Sequence, residues 1–180
     1  MATTDTAAQF KRDAEEWDAA WAVRDFDRIL SIYADDVEWE DPQIPRPLRG
    51  KVELRAYFEA MLRAFPDIEI GQEQLFSPLG GDGETFASRW RLRGTFRGAF
   101  ELPGIASMRI APTGDRVDFT GVAVVTVDDQ GRGIHVRQYG DDSTFQRQIG
   151  MLPPEGSFGE RVLMRLQALG ARRRLKRNGG

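Results

Sequence analysis

The stretch Val37-Glu38-Trp39-Glu40-Asp41-Pro42 decides how this chain is read. Side chains of a strand alternate between its faces, so a strand here carries Val37, Trp39 and Asp41 on one side and Glu38 and Glu40 on the other. The first face is apolar except for its carboxylate. A charge moved into apolar surroundings is costly unless it finds partners or is held protonated, which points to a general base or to a satisfied structural link. The plainer alternative is a strand-end aspartate that closes the turn at Pro42 through local backbone hydrogen bonds.

Upstream, Phe10, Ala14, Trp17 and Trp21 recur at helical spacing over about residues 6–23. Arg24-Asp25 breaks that helix before a second one bearing Phe26, Ile29, Leu30 and Tyr33. Downstream, a proline-rich loop leads to a third helix from Lys51 to about Phe65, which Pro66 ends. The period then changes to two: Ile68 and Ile70; Phe86, Ser88, Trp90 and Leu92 against Arg89, Arg91 and Arg93; Val117, Phe119, Gly121, Ala123 and Val125; and finally Ile134, Val136 and Gln138. Gly80-Gly81-Asp82-Gly83 and Asp129-Gln130-Gly131-Arg132-Gly133 read as the turns. Helices followed by antiparallel strands predict an α+β fold in which three N-terminal helices cover a curved antiparallel sheet, with a C-terminal helix added. Residues 1–152 are expected to form this domain, and residues 153–180 a Pro-Pro linker, a helix with Val162, Leu163, Leu166 and Leu169 on its apolar face, and a basic tail.

The 180 residues, 41% hydrophobic and 29% charged, suffice for one substantial core. With no cysteine and a single histidine, His135, thiolate chemistry and a multi-histidine metal site are excluded. No apolar run reaches membrane-spanning length and the N-terminus lacks a basic region followed by an apolar one, so no membrane partner and a cytoplasmic location are expected. The net charge of −3 hides an asymmetry: seven basic and no acidic residues lie from Arg161 onward. Without interleaved aromatics, that run reads as a solvated helix end and not as a nucleic-acid site.

A curved sheet under helices leaves a conical hollow. Its inferred lining is Trp17 and Tyr33 from the helices, Trp39 and Asp41, Trp90, Phe119, Ala123, Val136 and Gln138 from the strands. Such an apolar aromatic cup with a few convergent polar groups is the usual composition of a small-molecule site. An aspartate there would have its pKa raised by desolvation and could take a proton alpha to a carbonyl, with Trp17, Tyr33 and Gln138 as donors to the enolate. No glycine-rich phosphate loop, Gly-x-Ser-x-Gly or histidine pair is present, so cofactor-free acid–base chemistry, or binding alone, is expected.

Three stretches carry a family resemblance: Asp25 through Asp41-Pro42 to Gly50; Arg93-Gly94-Thr95-Phe96-Arg97-Gly98 with Ala111-Pro112-Thr113-Gly114; and Arg137-Gln138-Tyr139-Gly140-Asp141 with Phe145 and Gln148-Ile149-Gly150. In these the chain resembles the SnoaL-like polyketide cyclases of the nuclear transport factor 2 and ketosteroid isomerase superfamily. The resemblance implies an α+β cone, a cystatin-like α+β barrel, commonly homodimeric through its sheet. It places Asp41 at the general base of ketosteroid isomerases. Trp17 falls where their oxyanion tyrosine sits and Ala123 near their protonated aspartic acid, which argues against steroid isomerisation. Epoxide-hydrolase relatives set an arginine and two aspartates around a water, whereas Ser88, Trp90 and Gln138 occupy those places here. SnoaL-like cyclases use an aspartate on the closing strand for intramolecular aldol closure; Gln138 departs from that, and Asp141 and Asp142 follow slightly later, at the cavity mouth. The expected activity is a cyclase or isomerase acting on an apolar polyketide-, terpenoid- or steroid-like carbonyl compound, with Asp41, Gln138 and Asp141 as the catalytic candidates. A non-catalytic binder or scaffold of the same fold, and an epoxide hydrolase, are the alternatives.

Overall fold

Arg24-Asp25 is where the chain turns from α1 (Thr4–Ala22) into α2 (Phe26–Ser31) in the computed structural model, which describes residues 4–76 and 84–178. Arg24 adopts a left-handed φ of 61°, and its guanidinium donates to the Ile68 carbonyl at 2.6 Å. Asp25 caps α2 by accepting the Arg28 N–H at 3.1 Å. The turn expected at Gly80-Gly81-Asp82-Gly83 lies outside the described residues.

Three more elements follow: β1 (Tyr33–Glu40), a short β2 (Leu48–Arg49) and α3 (Gly50–Ala64), which Phe65-Pro66 ends as expected. Then come β3 (Glu69–Phe76), β4 (Thr85–Thr95), a small hairpin of β5 (Phe100–Leu102) and β6 (Ala106–Ile110), β7 (Arg116–Val127) and β8 (Gly133–Gly140). Two helices close the chain, α4 (Asp142–Gln148) and α5 (Phe158–Asn178). The main sheet is open and runs β2-β1-β8-β7-β4-β3. Its pairs are antiparallel except β1 with β8, which are parallel because the chain between them crosses the whole sheet. The fold is α+β as expected, with the helices α1 to α3 over one face of the curved sheet.

Two local expectations give way. Tyr33 belongs to β1 and not to the second helix: the N–H of Gly133 bonds to the carbonyl of Ile32 at 3.0 Å and Tyr33 pairs with Gly133, so strand pairing overrides the helical spacing. The hairpin of β5 and β6 has too few residues to show a period and has no counterpart in the sequence reading.

Alternation holds in the second half of β1, with Val37 and Trp39 buried and Glu38 and Glu40 half-buried, but not in the first, where Tyr33 and Ala34 are both buried, Asp35 and Asp36 both exposed, and the pairing with β8 shifts register. The core is aromatic where the helices meet the sheet. Phe58 of α3 lies 5.6 Å from the rings of both Trp21 and Trp39, edge-on to each. Burying each such ring contributes about 1.5–3 kcal/mol, enough to clamp α1 and α3 onto β1.

Asp18 of α1 pins the outer strand: its two carboxylate oxygens accept the Gln72 N–H at 3.0 and 3.1 Å, at an irregularity in β3. Burial pushes this carboxyl up to about 6, against the opposing pull of the Gln72 N–H. A carboxyl raised in the folded state contributes stability that is complete below its unfolded value of 3.8 and lost as pH rises through about 6. Asp18→Asn is therefore expected to flatten the fall of the urea midpoint between those two values; an unchanged pH profile would show that Asp18 has an ordinary pKa.

α5 follows Pro153-Pro154 and is anchored at its first turn, where Arg147 of α4 donates to Glu160 at 2.9 Å. Among the described residues no helix is long and apolar enough to cross a membrane.

Candidate functional site

Strand parity and sheet curvature bring the inner residues together around a cavity of about 130 Å³, comparable to apolar cavities of ~150 Å³ that take up benzene. Trp17, Tyr33, Trp39, Asp41, Trp90, Phe119, Val136 and Gln138 all line it, as the sequence led us to expect. So does Ser88, which is buried. No described side chain of α5 takes part in the lining.

Asp41 sits one residue past β1, half-buried, with its carboxyl in the cavity wall. One oxygen accepts the Gln43 N–H at 2.9 Å, closing the turn at Pro42, and the other accepts the hydroxyl of Tyr57 at 2.8 Å. The turn closure expected of a strand-end aspartate is thus present, and the same carboxyl lines the cavity. Burial raises its pKa; the Gln43 N–H and then the Tyr57 hydroxyl pull the other way, and Asp142 adds a like charge that raises it further. Tyr57 itself is pushed well above the usual phenol range, by burial first and by Asp41 second, so it stays a neutral donor.

Tyr57 was not among the residues singled out from sequence. It lies on α3, which reads as an ordinary amphipathic helix, and only docking of α3 on β1 turns its hydroxyl to Asp41. Tyr57→Phe removes a donor that favours the ionised carboxylate, so Asp41 should titrate higher still. A carbon NMR titration of Asp41 should show the midpoint moving up, whereas no movement would remove Tyr57 from the site's electrostatics.

Gln138 lies on β8 two residues past Val136, which is opposite Trp39, and like Asp41 it lines the cavity; the parallel pairing of β1 and β8 runs to Glu40 opposite Arg137. The indole N–H of Trp90 donates to Gln138 Oε1 at 2.8 Å, which commits the amide oxygen and leaves the NH2 end for another acceptor. Trp90 can lie there only because residue 121 is a glycine: a Cβ on Gly121 would fall 2.2 Å from Trp90 Cζ2. Phe119 packs edge-on to Trp90, 5.5 Å between centroids, and completes the apolar wall with Val136.

Trp17 and Tyr33 form a separate polar corner. Burial pushes the Tyr33 hydroxyl up, the Trp17 indole N–H opposes this, and Asp13 adds to it. Asp13 also lines the cavity; burial raises it, and Gln9 donates to it at 2.7 Å. The ring of Trp39 packs 6.0 Å from Tyr33 and 6.2 Å from Tyr57, so it stands between this corner and Asp41.

Asp141, expected as an acid at the mouth, lies on the outside. It is exposed and caps α4, accepting the Thr144 N–H at 3.1 Å and the Ser143 hydroxyl at 3.0 Å. Hydrogen bonding from Thr144 and then Ser143 holds its carboxyl below the usual range. The next residue, Asp142, lines the cavity and accepts from Gln43 Nε2 at 3.3 Å. One residue of helix start separates the cap from the wall, a distinction that a strand-end Gly-Asp-Asp does not carry by itself.

Among the described residues, one group of potential metal ligands comes together: Glu38, Glu40 and His135, on the outer face of β1 and β8. Two guanidinium groups already serve it, Arg49 at 3.2 Å from Glu38 and Arg137 at 3.4 Å from Glu40, which is an ion-pair network and not a cation cage.

The fold has known counterparts. Residues 14–135 match the model of the SnoaL-like domain. The chain belongs to the SnoaL-like family. Among solved structures, AclR, a proposed hydroxylase from Streptomyces galilaeus, is 20% identical over 93% of this chain and 98% of its own, with a TM-score of 0.63. A proposed SnoaL-like polyketide cyclase from Jannaschia sp. CCS1 is 20% identical over 85% and 96%, TM-score 0.62. SalBIII, an epoxide hydrolase/cyclase-like enzyme with a role in pyran ring formation in the polyether salinomycin, is 21% identical over 74% and 92%, TM-score 0.57. At these identities the likeness is one of fold. No curated protein matches the sequence significantly.

Proposed function

We propose that this SnoaL-like protein is a cofactor-free acid–base enzyme of cyclase or isomerase type acting on an apolar carbonyl compound. The observation that carries this is the Asp41 carboxyl, held in an aromatic cavity wall by the Gln43 N–H and the Tyr57 hydroxyl while burial raises its pKa. A carboxylate in that setting is a stronger base than one in water and is suited to removing a proton alpha to a carbonyl. The enolate oxygen would be met by the amide NH2 of Gln138, whose oxygen Trp90 has already taken. Trp39, Trp90, Phe119 and Val136 would hold the apolar body, and Trp17 with Tyr33 a second oxygen at the far corner. Asp142, beside Gln43, is the second carboxylate within reach and takes the part that sequence assigned to Asp141.

Cavity size supports a ligand of one or two rings, with any longer chain leaving through the mouth. A homodimer through the convex sheet face, where Tyr139 is 55% exposed, and a cytoplasmic setting complete the proposal. Proton exchange tests it directly. Apolar cyclic ketones and β-keto esters incubated with the protein in D2O should lose their alpha-proton NMR signals faster than in buffer. Compounds that shift the melting temperature yet exchange at the buffer rate would instead establish a non-catalytic binder.

A further inference from the structure

We propose that α5 is a membrane-surface helix that lies in the headgroup region of an anionic phospholipid layer. The helix stands clear of the body. Arg147 holds its first turn through Glu160, the Gly156 N–H also bonds to Glu160 at 2.7 Å, and beyond that turn no described helix or strand packs along it. Its apolar side chains are correspondingly bare: Phe158 is 73% exposed, Leu166 61% and Leu169 54%. Over the first four turns, Phe158, Val162, Leu166 and Leu169 follow one another at steps of four, four and three and form a single strip. Arg161, Arg165 and Arg172 line one border of that strip. After Glu160 the chain has no acidic residue and seven basic ones.

Aliphatic side chains beside cations of one sign select the partner. A nucleic-acid backbone would take the arginines but leaves the leucines in water. A second copy of α5 would cover the leucines but sets arginine against arginine. On the sheet of another copy Asp118 is taken by Arg91 at 2.6 Å and Glu40 by His135 at 2.7 Å, and the exposed Asp36 and Glu69 lie at separate strands and would leave the leucines uncovered. An anionic lipid surface satisfies both features at once: the strip enters the acyl boundary while the guanidinium groups stay among phosphates. Expecting no membrane partner from the lack of a spanning segment does not bear on this mode, since such a helix lies in the interface without crossing it. A site fed from the membrane also suits an apolar ligand, although the proposal does not depend on Asp41 having any activity.

The test is co-sedimentation of the full chain with sucrose-loaded vesicles of phosphatidylcholine alone or with 30% phosphatidylserine. Binding is expected to the mixed vesicles only, and to fall at least ~10-fold when salt is raised to 0.5 M or when Arg161, Arg165 and Arg172 are all changed to Gln. Leu166→Asp with Leu169→Asp should abolish it with the melting temperature unchanged, because both side chains are exposed. Failure to pellet with anionic vesicles, equal binding to neutral ones, or retention by the Asp double variant would each overturn the proposal. So would low-salt binding to duplex nucleic acid, or dimerisation through α5, in place of vesicle binding.

Discussion

Asp41→Asn is expected to lower catalysed alpha-proton exchange by a factor of about 10²–10⁴, the usual contribution of a positioned base, while leaving the fold intact. Asparagine keeps an oxygen for the Gln43 N–H, so the turn at Pro42 survives, and its amide remains a partner for the Tyr57 hydroxyl. Stability should change in a direction set by linkage. Burial holds Asp41 above 3.8, so its contribution to stability is complete below that pH and lost as pH rises through the raised pKa. The variant lacks this loss. Melting curves of the two proteins should therefore converge at acid pH and separate near neutrality, with the variant the more stable. Turnover equal to wild type would strike Asp41 from the mechanism, and a destabilised variant at neutral pH would mean that its carboxylate is a structural anion.

Gly121→Ala is expected to cost about 1–3 kcal/mol, the range for overpacking a filled site, and to open the cavity wall. In an ordinary strand this change is stabilising, because glycine weakens strand interiors. Here the new Cβ would meet Trp90 at 2.2 Å, and the backbone cannot yield because residue 121 pairs with Trp90 on one side and Gly140 on the other. The indole must leave. Its 2.8 Å bond to Gln138 and its edge contact with Phe119 go with it. Gly140 provides the control: a Cβ there meets nothing nearer than 3.4 Å, so Gly140→Ala should be tolerated. Chemical denaturation together with indole fluorescence distinguishes the two, and equal stability for both alanine variants would mean that the Trp90 ring is free to move.

How much of this was legible beforehand follows from which forces act along the chain and which act across it. Alternation fixes the face of each strand residue, so Trp39, Asp41, Trp90, Phe119, Val136 and Gln138 could be assigned inward from sequence, and the structure lines the cavity with all of them. Helical spacing likewise gave α1, α2 and α3, and the Arg24-Asp25 break and Pro66 gave their ends. Absence of cysteine and the lone histidine narrowed the chemistry before any fold was known.

Partnership was decided elsewhere. That Tyr57 bonds to Asp41 depends on how α3 docks on β1, sixteen residues away along the chain. The parallel seam that brings β1 and β8 together, so that Asp41 and Gln138 line one cavity, depends on the sheet order, and the loss of Asp141 to a helix cap while Asp142 faces inward depends on where α4 begins. A period constrains direction, because it comes from local backbone geometry; it says nothing of which distant group waits there, because that is set by the packing of one element on another.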